Sequence, residues 1–104
     1  MSWQETIIAA HLAVTDQVSH NERMKSDRYF VWGERGSNDL EAGNSHAERA
    51  VLGYTDLFTK QEFDPWKEQL EQAFDEAGIA WGLNSVQYEE ETRVTHYEWY
   101  WEVV

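Results

Sequence analysis

The 104-residue chain has no cysteine and one proline, and its 8 lysines and arginines stand against 20 aspartates and glutamates. Without cysteine there are no disulfides and no thiolate metal sites, and the redox compartment is left undetermined. A formal net charge of -12 repels phosphate backbones, so direct, sequence-specific nucleic-acid binding is not expected. No apolar run approaches the ~20 residues that span a bilayer, and the segment MSWQETIIAAHLAV lacks the basic flank of a secretion signal. The expectation is a soluble, non-exported protein with no membrane partner. Internal repeats and low-complexity tracts are also missing.

Chemical motifs are equally scarce. No G-x-S-x-G elbow presents a serine nucleophile, and nothing fixes a Ser/His/Asp triad. The stretch GERGSNDLEAG, residues 33–43, lacks G-K-[ST] and does not open a helix, so it reads as a hairpin loop and not a phosphate cradle. His11, His20, His46 and His96 show neither HxxxH nor HExxH spacing. His46 and His96 could meet on adjacent strands as a metal pair, but ordinary surface or edge histidines are the simpler reading. The carboxylates fall on one helix face and in one turn, which suits a solvated surface better than an acid/base pair across a cleft. No catalytic, cofactor-binding or metal residue is predicted, and no enzymatic activity.

What is present argues for a packed core. Aromatic residues make up 14% of the chain and hydrophobic residues 41%, whereas disordered acidic chains are poor in aromatics. A chain of this length buries roughly two thirds of its unfolded surface, which predicts a single domain over residues 1–104.

The first element is a helix over residues 3–14. Ser2 and Glu5 form a capping-box pattern, and Ile7, Ile8 and Leu12, with Ala10 or Ala13, supply a short apolar face. Residues 19–27 are polar and read as a connection. Tyr29, Phe30, Val31 and Trp32 predict a strand within 28–36. It leads into a Gly-rich loop over 33–45, where the chain turns or stays mobile and could order on contact with a neighbour. Alternation resumes over 46–60 in a long strand, the antiparallel partner of the one before the loop, with Gly53 marking a bulge or a close backbone approach.

The clearest element is the second helix, in FDPWKEQLEQAFDEAGI. Asp64 is the expected N-cap, Pro65 the first helical residue and Gly78 the left-handed terminator. Trp66, Leu70, Ala73, Phe74 and Ala77 make one apolar stripe, with Glu68, Glu71, Asp75 and Glu76 on the opposite, solvated face. A strand over 80–88, an acidic turn over 89–92 and a closing strand follow. In that last strand Thr95, Tyr97, Trp99, Trp101 and Val103 share one face, and Val94, His96, Glu98, Tyr100 and Glu102 the other. The predicted fold is α+β: a mainly antiparallel four-stranded sheet with two helices packed on it, in the order helix-strand-strand-helix-strand-strand.

Six tryptophans, Trp3, Trp32, Trp66, Trp81, Trp99 and Trp101, fit either a core cluster or a contact surface, since interfaces are enriched in this residue. Trp66, Trp99 and Trp101 sit on faces that oppose each other across helix and strand. Trp3 and Trp32 lie near element ends. Trp3, Trp32, Trp99 and Trp101 are the candidates for an intersubunit contact.

The C-terminal half resembles the small tail proteins of siphophages and their prophage relatives, the tail terminator or minor tail protein group. The resemblance lies in a strand ending in aspartate, a K-x-N-F-D-P helix start, a helix ending in A-G-I or A-G-F, an acidic Y-E-E-x-T hairpin and an aromatic-to-acidic last strand. Here these positions are Asp56, Lys60, Phe63, Asp64, Pro65, Ala77, Gly78, Ile79, Tyr88, Glu89, Glu90, Thr92, His96, Trp99 and Glu102. Trp99, Tyr100 and Trp101 stand where the group more often has aliphatic residues.

The resemblance implies a structural protein of the virion tail, assembled in the host bacterial cytoplasm. It would form a homo-hexameric ring that ends the tail tube, with the tube protein and a head-completion protein as partners. Six copies bring six times -12 formal charges around one axis, so Glu68, Glu71 and Asp75 or the 89–91 turn are expected to face away from neighbouring copies, and an acidic lumen would let DNA pass unbound. The alternative, from charge alone, is an acidic DNA-mimic inhibitor or immunity-type protein that binds a basic enzyme.

Overall fold

The computed structural model describes residues 1–37 and 50–104. Its elements are α1 (Trp3–Leu12), β1 (Val18–His20), β2 (Arg28–Ser37), β3 (Val51–Thr59), α2 (Trp66–Glu76), β4 (Ala80–Glu89) and β5 (Val94–Val103). The strands form one sheet in the order β1-β2-β3-β5-β4. β2, β3, β5 and β4 pair antiparallel as expected, but β1 runs parallel to β2. The sheet is therefore five-stranded and mixed, not four-stranded and antiparallel.

The extra strand escapes sequence reading because it is three residues long and belongs to a polar stretch. Backbone bonds at its flanks hold it: Phe30 N–H donates to Gln17 O (2.9 Å) and Asn21 N–H to Trp32 O (2.8 Å). Since β1 and β2 are parallel neighbours, the connection 21–27 must return across a face of the sheet. Met24 accordingly packs with Tyr29, Val31 and Phe58 on the face away from the helices.

Both helices keep the signals read from the sequence. Ser2 N–H donates to Glu5 Oε1 (2.9 Å) and Glu5 N–H to Ser2 Oγ (3.1 Å), the two halves of a capping box. At the end of α2, Gly78 takes φ 72°. Gly78 N–H then bonds Asp75 O (3.1 Å) and Ile79 N–H bonds Phe74 O (2.9 Å), a Schellman closure that buries Ile79. Helix α2 begins one residue after the expected position, yet the Asp64 carboxylate still accepts the Trp66 N–H at 2.9 Å.

Helix α1 is turned differently from its expected apolar face. Ile7, Ala10 and His11 point inward, while Ile8 is 41% and Leu12 55% exposed. His11 takes the buried place because the core satisfies both ring nitrogens: Nδ1 lies 2.8 Å from Ile7 O and Nε2 3.0 Å from Thr55 Oγ1. The helices cover one side of the sheet, where Phe30, Trp32, Leu57, Tyr97, Trp99 and Trp101 meet Leu70 and Phe74. The odd-numbered face of β5 is buried there as the alternation requires. The expected loop begins as strand, since Gly33–Ser37 belong to β2; the rest of the loop and the expected start of the long strand, residues 38–49, lie outside the described residues, His46 among them.

Candidate interaction surface

Of the four tryptophans expected at a contact, three are core residues of the single chain. Trp99 is fully buried and its Nε1–H donates to Glu71 Oε2 at 3.0 Å. Trp101 is buried with Nε1–H donating to Thr55 Oγ1 at 2.9 Å. Trp32 is buried between His20, stacked at 4.0 Å, and Trp101 at 6.4 Å. Trp3 alone is half-exposed, its ring meeting Trp32 edge-on at 6.4 Å.

These indole contacts also change the reading of the acidic face of α2. Glu71 is held by Trp99 and by Lys67 Nζ at 3.1 Å, and its side chain is only 15% exposed. Asp75 accepts the Trp81 Nε1–H at 2.7 Å. Glu71 thus serves as the acceptor that the buried Trp99 indole N–H needs, whereas Asp75 stays exposed and bonds a half-buried indole. Glu68 remains solvated.

A second polar centre ties β2 to the start of α2. Arg28 grips Asp64 through Nε–Oδ2 (2.8 Å) and Nη2–Oδ1 (2.5 Å), and Thr59 Oγ1 donates to Oδ2 at 2.7 Å. The guanidinium also lies 3.7 Å from the centre of the Trp66 ring. Burial pushes the Asp64 carboxyl up, but hydrogen bonds from Arg28, Thr59 and Trp66 N–H, with the Arg28 charge, outweigh it and hold the group below its ordinary value. Both oxygens of this carboxylate are hydrogen-bonded within the fold.

The helix-free face of the sheet carries a further group of ionisable residues. His96 stacks on Phe58 at 4.4 Å and brings Nε2 within ion-pair distance, 2.9 Å, of Asp56 Oδ1; neither atom has a hydrogen-bond partner among the described residues. Burial, followed by the charges of Asp56, Glu34 and Glu98, pushes the Tyr54 phenol up. Arg35 lies over Tyr100 at 4.0 Å. Near the 21–27 connection a hollow of about 510 Å³ has Tyr29, Phe58 and His96 for a floor and Arg23, Asp27 and Glu89 on its walls.

The apolar surface lies elsewhere. Phe63 is 85% exposed at φ 52°, and on β4 Leu83, Val86 and Tyr88 are 40%, 51% and 61% exposed. Register places these β4 residues beside Trp99, Tyr97 and Thr95, on the helix-covered side of the sheet but on its outermost strand. Sequence reasoning passed over them in favour of the tryptophans. The signal was there: residues 80–88 carry no charge in a chain where 27% of residues are charged. No family model matches the chain, and comparison with curated proteins finds no match.

Proposed function

We propose that this chain is a structural protein of a phage or prophage tail, a terminator-type subunit that forms a hexameric ring with copies of itself at the end of the tail tube and joins it to the head. The observation that carries the reading is the exposure of Phe63, which lies in the stretch that resembles the tail proteins and is not needed by the protomer's own core. Phe63 even holds a left-handed backbone conformation, which costs a non-glycine residue of order 1–3 kcal/mol and persists where the surroundings or a partner use it.

In this reading the ring binds the tube protein on one side and a head-completion protein on the other, turns over no substrate and needs no cofactor. It is made in the host bacterial cytoplasm and ends in the virion tail. Trp32, Trp99 and Trp101 act through the core they build, and Trp3 and Phe63 lie on the surface that neighbours touch. The test is negative-stain microscopy and light scattering of concentrated protein, alone and with purified tail tubes. Rings of about six copies, or capped tubes, are the expected result. A protein that neither forms rings nor caps tubes, and that instead captures a basic nuclease, would replace this reading with the acidic-inhibitor one.

A further inference from the structure

The two edges of the sheet are built differently. On one side β1 covers only Phe30–Trp32 of β2 and is itself three residues long. On the other, β4 is ten residues long with no strand beyond it among the described residues. Edge strands present unpaired N–H and C=O groups, and proteins blunt them with charge, proline, bulges or covering elements. Strand β4 has a single irregularity, between Leu83 and Ser85, where Asn84 turns to donate to Glu98 at 2.8 Å. Past it, Ser85 to Tyr88 carry neither charge nor proline, and Val86 and Tyr88 stand in water.

We propose that two copies of the chain pair through this edge, antiparallel about Gln87, to give a ten-stranded sheet across a two-fold axis. The occupant follows from charge and from register. A chain at -12 repels its own copies over most of its surface, and a basic partner would be drawn to the acidic faces, not to this neutral strip. Another copy of the strip meets it without a charge facing a like charge.

Register selects the centre. An antiparallel two-fold sets one residue opposite itself. With Gln87 there, Val86 faces Tyr88 of the partner copy in both directions, and Glu89 faces Ser85. Aromatic and β-branched residues are favourable cross-strand partners. Only this centre sets Val86 and Tyr88 against each other twice: centring on Val86 would put Tyr88 opposite Asn84 at the irregularity, and centring on Tyr88 would put Val86 opposite Glu90, beyond the end of β4. The pair is closed, since each copy uses the one long edge among the described residues. It is thus distinct from a head-to-tail ring contact and does not rest on the ring reading.

The experiment is sedimentation of the full chain over a concentration series, with Val86→Lys and Tyr88→Lys as edge variants and Gln87→Cys as a cross-linking variant. Both lysine sites are already half in water, so the fold, followed by circular dichroism, should hold. The expected results are a dimer for the natural chain and dissociation constants raised at least about tenfold in each lysine variant, the scale set by losing one apolar contact. Gln87→Cys, the only thiol in the chain, should oxidise to a covalent dimer, whereas Gln4→Cys on exposed α1 should not. A natural chain that stays monomeric, or a dimer untouched by Val86→Lys, overturns the pairing. Rings that form normally in Val86→Lys, with no Gln87→Cys cross-link, overturn it while leaving the tail reading standing; a dimer lost in both lysine variants without rings supports it and counts against that reading.

Discussion

Single residues in this fold are constrained most where a side chain has been omitted. Gly53 lies on β3 opposite Trp101 of β5, and the indole rests on its Cα so closely that a Cβ would overlap the ring. Gly53→Ala is expected to cost about 2–3 kcal/mol, the penalty for overfilling a packed core, with the Trp101–Thr55 hydrogen bond as the contact that gives way. Gly82, on β4, has no atom within 4 Å of an added Cβ, and Gly82→Ala should fall within about 0.5 kcal/mol of the natural chain. Urea denaturation of the pair measures the difference. Asp64 is the polar counterpart: Asp64→Ala strands a half-buried Arg28 and frees the Thr59 hydroxyl and the Trp66 N–H. About 3 kcal/mol should be lost, read from the same curves.

At the scale of elements, legibility followed signal length. Helix α2 was readable because Asp64, Pro65 and Gly78 mark its ends and Leu70, Ala73 and Phe74 mark its inner face, each by local chemistry. Strand β5 was readable because strict alternation over ten residues leaves one face no choice but burial. Three residues of β1 carry no period, and their pairing with β2 depends on a connection whose path over the sheet is a tertiary fact. Helix α1 lies where its capping box predicts but turns a different face inward, since hydrophobicity ranks Ile8 and Leu12 above His11, while the core offers His11 two partners and leaves the aliphatic pair outside. The candidate surface was harder still. Tryptophan count pointed to Trp32, Trp99 and Trp101, whose burial depends on which strands flank them, whereas the informative feature of β4 was an absence of charge.

For the molecule as a whole, acid acts through two opposed effects. Lowering the pH toward the isoelectric point near 4.5 reduces self-repulsion and favours compact and associated states. His11 works against this. Burial drops its pKa from 6.5 to about 4, partly offset by the hydrogen bond to Ile7 O. The folded state keeps the ring neutral below pH 6.5 while the unfolded chain takes up a proton, so stability is intact above 6.5 and falls as the pH drops toward 4. Between pH 7 and pH 5 the loss from this residue is about 2 kcal/mol. Asp64 adds its own loss only lower, below the ordinary carboxylate value and through its depressed folded one. Because charge relief has the opposite sign, the natural chain alone does not isolate the histidine. His11→Gln removes the proton site while keeping polar atoms near Thr55 and Ile7, so denaturation of both proteins at pH 7 and pH 5 separates the effects. The variant is expected to be less stable at pH 7 and to lose about 2 kcal/mol less on acidification; equal pH slopes in the two proteins would mean that the ring at the centre of the core takes up its proton without opening the fold.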